Sequence, residues 1–333
     1  MTVEGFDFEE KVKLVDSSNM IKLIRGFPEQ VITAWRLGEG LVVKHCEKIV
    51  FCGMGGSGIS GDVLTMLVDK PSASVHDYDL PRWVDSDTCV VVSSYSGNTE
   101  EAISCFKQAV RQDSELVVVT SNGRLEKLAK TYRKLLVTIP KGFQPRSAIA
   151  FLMLPVLRIL YNSGLVDKEL SFKKALKILK SVEGKALTIM SRFDVDALPI
   201  IYGTGFLKPI AYRWRTQFNE NAKVLAISHA LPECNHNELE ALQSLNIKKH
   251  LFLLSSKLDS VRVKKRLTLT KKYARKAGIT ITHLEFPRDV LASILPAIHL
   301  GDFITYYHAV RLGVNPSPVQ VIESFKKDMG FSL

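Results

Sequence analysis

The sequence lacks the features of secreted, membrane-spanning and zinc-binding proteins. Its 333 residues include 5 cysteines, an odd and scattered set without a Cys-x-x-Cys pair, which excludes a disulfide framework and a cysteine-based zinc site. No apolar run approaches the roughly 20 residues that a membrane span requires, and the chain begins acidic where a signal peptide would be basic and then apolar. We therefore expect a cytoplasmic protein with free, mostly buried thiols and no membrane contact.

Clustered metal ligands and nucleic-acid motifs are absent as well. The 8 histidines are dispersed and no His-Glu-x-x-His spacing occurs, so no metal site is expected. The formal charge of +11 would suit a nucleic-acid binder, but the basic residues concentrate on a predicted helix at 262–276 with few aromatic residues between them. This pattern indicates a solvated helix face rather than a nucleic-acid surface, and a positive field would favour an anionic metabolite.

Two loops rich in glycine and serine dominate what the sequence does contain. The first, at 51–60, reads Phe-Cys-Gly-Met-Gly-Gly-Ser-Gly-Ile-Ser, and the second, at 93–101, reads Ser-Ser-Tyr-Ser-Gly-Asn-Thr-Glu-Glu. Each follows a β-branched run that predicts a buried strand, and each precedes an amphipathic stretch that predicts a helix. Such a turn directs free backbone N–H groups and the positive end of a helix at one place. The pair therefore predicts a site for a phosphorylated and hydroxylated ligand.

Other interpretations of these loops are weaker. The spacing Gly-x-Gly-x-x-Gly at 53–58, with Asp77 or Asp79 further on, formally fits a dinucleotide fingerprint, but a dinucleotide fold does not need the second loop. No Gly-Lys-Ser/Thr follows the glycines, which argues against a Walker loop. Helix capping would explain one hydroxyl of the second loop but not all of them. Those hydroxyls belong to Ser94, Ser96 and Thr99.

Strand and helix signals alternate through most of the chain and predict an α/β fold. A doubly wound parallel sheet is expected in each of two domains, because βαβ units place parallel strands between helices. Within the first domain, 75–78 is predicted as a short strand. The expected parts are a helical arm at 1–45, a first domain at 46–165, a helical connection at 166–196, and a second domain with C-terminal helices at 197–333.

The two predicted domains carry traces of an internal duplication. The run at 198–205 repeats the strand-into-glycine pattern of 49–56, and the run at 251–256 echoes 90–94. The second copy keeps the strands but lacks the Gly-Asn-Thr loop of the first copy. One phosphate site is therefore expected, in the first domain.

Several further segments fit one family when they are combined with the two loops. These are Thr-Ser-Asn-Gly at 120–123, Pro-Arg-Ser-Ala at 145–148, Phe-Asn-Glu-Asn-Ala-Lys at 218–223 and Asn-His-Asn-Glu at 235–238. Together they resemble the bifunctional phosphoglucose/phosphomannose isomerases of archaeal type, which consist of two sugar-isomerase (SIS) domains, each an αβα sandwich. The serine loop by itself marks only the SIS superfamily, whereas the combination is much more specific.

The resemblance implies an aldose–ketose isomerase. Its members interconvert glucose 6-phosphate, and mannose 6-phosphate as well, with fructose 6-phosphate through ring opening and an enediol intermediate. This chemistry requires acid–base groups and no metal or redox cofactor. The resemblance also implies a homodimer.

Matching positions suggest which residues bind the sugar and move its protons. The serine loop would hold the 6-phosphate, Arg146 would steady negative charge near C1 and C2, and Glu220 would carry the proton between these carbons. Glu220 lies late in a predicted helical stretch at 208–223, and Glu233 is the reserve base. The residues that would line the sugar pocket are Gly55, Gly56 and Ser57.

The ring-opening groups and the epimer selectivity come from later segments. The resemblance implies that His236 of the neighbouring subunit and a C-terminal lysine open the ring, and Lys326 is the candidate, although Lys327 is adjacent. Ser317 stands where a threonine is usual in members that accept mannose phosphate. Asn235 and Glu238 predict a capping box, which would place His236 in the first turn of a helix and keep its ring neutral.

Two alternatives remain. A non-catalytic SIS module could sense a sugar phosphate and regulate a partner; it would need the serine loop but neither Glu220 nor His236, and it usually carries an attached effector segment. The N-terminal arm is too short for a convincing DNA-binding domain. An amidotransferase-type isomerase would require an amine-handling domain that this sequence does not contain.

Overall fold

A computed structural model describes residues 2–3, 6–44, 46–166, 170–243 and 247–330. The chain forms two parallel sheets with helices packed on both sides, preceded by a helical arm, as the sequence predicts. Across the described ranges, no helix combines the length and the apolarity that crossing a membrane demands.

The N-terminal arm packs on helices of the body of the protein. Its second helix is capped by Asp16, which accepts hydrogen bonds from the backbone N–H groups of Met20 (2.8 Å) and Ile21 (2.9 Å). The hydroxyl of Tyr306 donates to the same carboxylate at 2.9 Å, so the cap also anchors the arm to a core helix. The arm comprises β1 Thr2–Val3, β2 Phe6–Asp7, α1 Phe8–Val15, α2 Met20–Arg25 and α3 Phe27–Leu37.

The first sheet has five parallel strands in the order β4-β3-β5-β6-β7. Alternate residues of β5 enter different hydrophobic clusters: Cys89 and Val91 face one side, and Val90 and Val92 face the other. Both faces are therefore covered, as in α/β folds. Its elements are β3 Lys48–Cys52, α4 Gly56–Thr65, β4 Ser72–Val75, β5 Thr88–Ser93, α5 Glu100–Arg111, β6 Glu115–Thr120, α6 Gly123–Thr131, β7 Leu135–Thr138 and α7 Ile149–Asn162.

The second sheet has four parallel strands in the order β9-β8-β10-β11. Taken in chain order, its strands occupy the same relative places as β3 to β6 of the first sheet, which confirms the duplication predicted from the sequence. Two connecting helices and this sheet comprise α8 Phe172–Leu179, α9 Val182–Met190, β8 Leu198–Gly203, α10 Lys208–Gln217, β9 Ile227–Ala230, α11 Glu238–Ala241, β10 Lys249–Ser256, α12 Val261–Lys276 and β11 Thr280–Phe286.

A long helix, α13 (Leu291–Arg311), forms the centre of the core, and α14 (Gln320–Asp328) follows it. Every residue of α13 from Leu291 to Val310 is buried. The buried carboxylate of Asp302 accepts two hydrogen bonds from Arg213 Nη2 (2.8 and 3.1 Å) and one from Gln217 Nε2 (2.6 Å). A buried charge requires such partners, so this pair ties α13 to α10.

One predicted strand is displaced. The expectation of a strand at 75–78 is wrong, because β4 ends at Val75 and the chain then turns. The side chain of His76 leaves the sheet and bonds Asp62 Oδ1 at 2.8 Å, so the polar residues after Val75 belong to a loop.

Candidate active site

The serine loop joins β5 to α5, with Thr99 at the N-cap position of that helix. The side chain of Thr99 forms no capping hydrogen bond with the helix. Instead, the hydroxyls of Ser94 and Thr99 lie 2.8 Å apart, and the hydroxyl of exposed Ser96 accepts a hydrogen bond from the N–H of Asn98 (3.3 Å). An uncapped helix start flanked by three hydroxyls is suited to an anion.

A neighbouring loop braces the serine loop. Gly97 has φ +69°, and a side chain there would collide with the carbonyl of Asn122. Leu125 N–H donates to the carbonyl of Gly97 (2.8 Å), and Arg124 N–H donates to Asn98 Oδ1 (3.0 Å). The segment at 120–125, which begins with Thr-Ser-Asn-Gly, therefore holds the serine loop in shape before any ligand arrives.

The glycine loop lies beside the serine loop, because β3 and β5 are adjacent parallel strands. Gly55 has φ +53° and ψ −125°, a conformation that residues other than glycine rarely adopt. A Cβ on Gly56 would lie 3.0 Å from the carbonyl oxygen of Pro145, so the loop touches the turn that carries Arg146. Ser57 is buried in the first turn of α4.

Arg146 is buried where the two sheets' loops meet. Its Nε donates to Asn221 Oδ1 (2.9 Å), and its Nη2 donates to the carbonyls of Pro316 (2.7 Å) and Ser317 (2.8 Å). Its Nη1 lies 3.4 Å from Glu220 Oε2. Burial lowers the pKa of Arg146 from its ordinary value, and the charge of Glu220 opposes that shift. The guanidinium is thus fixed by neutral acceptors, and Nη1 points toward the carboxylate.

Glu220 belongs to a five-residue π-helical turn, Phe218–Ala222, that follows α10. The sequence predicts an uninterrupted helical stretch at 208–223, and the change to π geometry is the difference. Such insertions are frequent at functional sites. The side chain of Glu220 is 29% exposed, enough to meet a ligand while it contacts Arg146.

Lys223 also lies beside Arg146 and Glu220, although the sequence pattern around it predicts no role for it. It ends the π turn with φ +57°. Its Nζ donates to the carbonyls of Glu220 (2.7 Å) and Asn315 (3.0 Å) and lies within 3.4 Å of those of Asn221 and Pro316. Its place in the Phe-Asn-Glu-Asn-Ala-Lys segment is the one signal in the sequence that could have identified it.

Ser317 lies on the segment that Arg146 and Lys223 hold. Its carbonyl accepts from Arg146, and its N–H donates to Asn315 Oδ1 at 3.0 Å. Its hydroxyl is buried and has no hydrogen-bond partner among the described residues. Such a group is available to a ligand, because an unsatisfied buried hydroxyl is costly.

Helix α14 extends from the Glu220 region toward the serine loop. Val321 and Ile322 line a cleft of about 430 Å³ together with Glu220 and Lys223. Gly330, just beyond the helix, lines a second cleft of about 510 Å³ together with Asn98, Arg124 and others. All residues of α14 are exposed, including Lys326 and Lys327.

The prediction for the surroundings of His236 is wrong in one respect. Asn235 does not cap a helix; its Nδ2 donates to Thr270 Oγ1 at 2.9 Å. Asn237 is the N-cap and accepts from Glu238 N–H at 2.6 Å, so His236 ends a preceding 3-10 turn. His236 lies outside α11, so it is not in the first turn of a helix as the capping-box prediction requires. His236 is exposed and forms no hydrogen bond within the described part of the chain.

The reserve base, Glu233, lies in a different setting from Glu220. It is exposed, and its Oε1 accepts from Asn237 Nδ2 at 3.3 Å. The structure pairs Arg146 with Glu220 and gives Glu233 no cationic partner among the described residues.

The corresponding loop of the second sheet carries its own anion. Asp259 Oδ2 accepts from Thr204 Oγ1 (2.6 Å) and from the N–H of Ser256 (2.9 Å). Ser260 caps α12 by accepting from the N–H of Val263. A carboxylate thus occupies the end of β10, where the first sheet has the open serine loop. Within the described ranges, no three His, Cys, Asp or Glu side chains are grouped so as to share a metal ion.

Comparisons with known proteins agree with this architecture. A family profile described as the bacterial phospho-glucose isomerase C-terminal SIS domain matches residues 183–329. A bifunctional phosphoglucose/phosphomannose isomerase of Thermoplasma volcanium is 35% identical over 308 residues, covering 91% of this chain and 99% of that protein. A D-glucosamine-6-phosphate 4-epimerase of Sulfolobus acidocaldarius is 36% identical over 208 residues, covering 61% of this chain and 66% of that protein.

A solved structure shows the same fold at low sequence identity. A hypothetical protein of Thermus thermophilus superposes with a TM-score of 0.74 at 15% identity, covering 98% of this chain and 94% of the other. The overall fold is therefore shared with an experimentally solved protein.

Proposed function

The chain belongs to the family of bifunctional phosphoglucose/phosphomannose isomerases, and we propose that it interconverts glucose 6-phosphate and mannose 6-phosphate with fructose 6-phosphate at the site around Arg146 and Glu220. The contact between these two residues carries the proposal. It joins a cation from the first unit to a base from the second, beside a loop built for an anion. Because the chain belongs to this family, it is an isomerase. The roles of individual residues given below are our assignment.

The serine loop would bind the 6-phosphate. Ser94, Ser96 and Thr99 supply hydroxyls, and the uncapped start of α5 supplies backbone N–H groups. The nearby glycine loop, through Gly55, Gly56 and Ser57, would accommodate the sugar, because a backbone without Cβ atoms permits close approach. This arrangement sets the distance from the phosphate to the reacting carbons.

Glu220 would transfer the proton. In the open-chain aldose its carboxylate removes the hydrogen of C2, the electron pair forms the C1–C2 double bond, and O1 gains a proton. The same carboxyl then returns its proton to C1 while O2 loses one and becomes the ketose carbonyl. Arg146 Nη1 would stabilise the charge that develops on these oxygens. Glucose and mannose 6-phosphate yield the same enediol because C2 becomes planar. Their C2 hydrogens lie on opposite faces, so one base serves both epimers only when rotation about the C2–C3 bond turns each hydrogen toward Glu220.

Lys326 fits the ring-opening role better than Lys327. Ile322 lies four residues before Lys326 on α14 and lines the cleft that Glu220 and Lys223 also line. Residues four apart share a helix face, whereas Lys327 is rotated by about 100°. Ser317, with its free hydroxyl beside Arg146, would bind a sugar hydroxyl and influence the choice between epimers.

A homodimer and a cytoplasmic location complete the proposal. His236 is exposed, and α14 presents Val321 and Phe325 to solvent at 84% and 65% exposure. These surfaces suit a second copy whose His236 reaches the neighbouring sugar. Light scattering after size-exclusion chromatography tests this, and a monomer at working concentration would remove His236 from the mechanism.

An enzyme-coupled assay for fructose 6-phosphate tests the function directly. The purified chain, without added metal or nucleotide, should convert both aldose phosphates, and Glu220→Gln should not. Incubation with glucosamine 6-phosphate, followed by NMR, distinguishes the activity named for the Sulfolobus relative, which would appear as inversion at C4. Failure of both aldose phosphates would refute the proposal. A sensing module is not favoured, because relatives over most of the chain are named as isomerases.

A further inference from the structure

Lys223 makes an unusual set of contacts for a lysine at the protein surface. Its ammonium bonds to carbonyl oxygens of two segments that are distant in sequence. One segment is the π turn that carries Glu220. The other is the 315–316 segment, where Asn315 lies 92 residues after Lys223 in the sequence. No carboxylate forms an ion pair with it among the described residues. The positive charge of Lys223 therefore interacts with the dipoles of backbone carbonyl groups.

The two segments that Lys223 joins each carry part of the site. The π turn positions Glu220, and the 315–317 segment positions Ser317 and leads into α14. Arg146 holds the same segment from the other side, and the carbonyl of Pro316 accepts from both cations, at 2.7 Å from Arg146 and 3.3 Å from Lys223. Arg146 also has a contact to Glu220, whereas Lys223 contacts only the backbone of that residue.

We propose that Lys223 is a positioning residue, which fastens the turn of Glu220 to the segment that carries Ser317 and α14. This inference rests on the proposed isomerase function. The ammonium holds the base at a fixed distance from the hydroxyl of Ser317 and from the face of α14, and it does not itself touch the reacting carbons. An ammonium suits this task because it offers three donors from one point, which can reach carbonyls in different planes.

The surroundings of Lys223 make its charge sensitive to pH. Partial burial and the positive charge of Arg146 lower the pKa of Lys223 to about 8, while Glu220 opposes that shift. The 315–318 segment contributes only Asn, Pro and Ser, and α14 contributes Glu323 at a position that does not line the cleft. A lysine with a lowered pKa disfavours the folded state only while charged, so folding stability rises between pH 8 and the ordinary lysine value. Local opening that frees Lys223 follows the same linkage, and the neutral amine keeps two N–H donors for the same carbonyls, so rising pH does not loosen the two segments.

The test compares Lys223→Met and Lys223→Arg with the wild type and with Lys272→Met, an exposed control on α12. We expect Lys223→Met to lower kcat by a factor of ten or more with little change in KM for the phosphosugar, because the phosphate loop is untouched. Lys223→Arg should recover most of the activity.

A second readout does not depend on turnover. Amide hydrogen exchange at 315–322 should accelerate in Lys223→Met, with no change in the serine loop. Unaltered exchange and unaltered kcat in Lys223→Met would overturn the inference. If the wild type itself fails to isomerise, the proposed function fails, and the exchange experiment still decides whether Lys223 fastens the two segments.

Discussion

Arg146 Nη1 and Glu220 Oε2 lie 3.4 Å apart, although the two residues are 74 positions apart in the sequence. The contact is long for a charge-assisted hydrogen bond. Arg146 does not depend on it, because Nε and Nη2 are held by an amide and two carbonyls at 2.7–2.9 Å. The guanidinium therefore keeps its position when Glu220 gains or loses a proton. A group that stabilises charge during proton transfer must remain in place in this way.

Replacement of Glu220 by glutamine should abolish proton transfer and preserve binding. We expect kcat to fall by about 10²–10⁴, the usual contribution of a general base, because the amide keeps the shape but cannot accept the C2 proton. Exchange of the C2 hydrogen in deuterium oxide provides an independent measurement. Glu233→Gln is the control and should retain near-wild-type rates; the reverse result would move the base to Glu233.

Replacement of Ser96 by alanine should weaken substrate binding. A hydrogen bond to a charged group contributes about 1.5–3 kcal/mol, so KM should rise by roughly 10-fold or more while kcat changes little. Ser260→Ala is the matched control, since Ser260 occupies the corresponding helix start of the second sheet. It should cost about 1 kcal/mol of stability through its lost cap and leave KM unchanged. An unchanged KM in Ser96→Ala would contradict the phosphate assignment.

Breaking the buried pair between Arg213 and Asp302 should strongly destabilise the fold. Arg213→Met leaves the carboxylate of Asp302 without its main partner inside the core, and such a loss costs about 3–5 kcal/mol. Denaturant unfolding measures it. Lys248→Met is the control, because its ion pair with Asp194 is exposed and screened by solvent and should contribute little to stability. Equal effects of the two substitutions would show that Asp302 finds another partner.

His76 should titrate above the usual range for histidine. Its hydrogen bond to Asp62 raises the pKa, against the effect of burial, and so does a bond to the carbonyl of Gly53. A raised folded-state pKa gives stability that is fully present below the unfolded value of about 6.5 and is lost as pH rises through the folded value. NMR titration should show a lower midpoint for His76 in Asp62→Asn than in the wild type. Asp87→Asn should leave the midpoint where it is.

One hexose phosphate should bind per chain. In the second sheet, Asp259 already occupies the place beside Thr204 and Ser256, and its charge would repel a phosphate. Titration calorimetry with fructose 6-phosphate should give one site per chain. Two sites would mean that the carboxylate of Asp259 can be displaced.

The parts that follow from local patterns were predicted correctly from the sequence. The alternation of strands and helices and the strand-to-helix turn at the serine loop result from periodicity and turn chemistry. The duplication was visible because strand patterns survive after the loop chemistry is lost.

The parts that depend on contacts between distant segments could not be predicted from local patterns. Lys223 resembles a solvent-exposed lysine after an amphipathic helix, and its role depends on carbonyls of the 315–316 segment. The π turn adds a residue to the helix without any local sequence signal. Asn235 fits a capping box, but Asn237 is nearer to the helix start, and Thr270 of α12 binds Asn235 instead.

The two sheets of the proposed enzyme separate phosphate binding from proton transfer. In the proposed mechanism the first unit supplies the phosphate-binding loop and the second supplies Glu220, with Arg146 at the boundary between them. The hydrogen bonds of Arg146 to Asn221, Pro316 and Ser317 cross this boundary, so a shift of one unit against the other would disturb them before the internal bonds of either unit. We therefore expect substitutions inside the first unit to change the affinity for the substrate. Substitutions at the boundary between the units should change kcat more than substitutions inside either sheet.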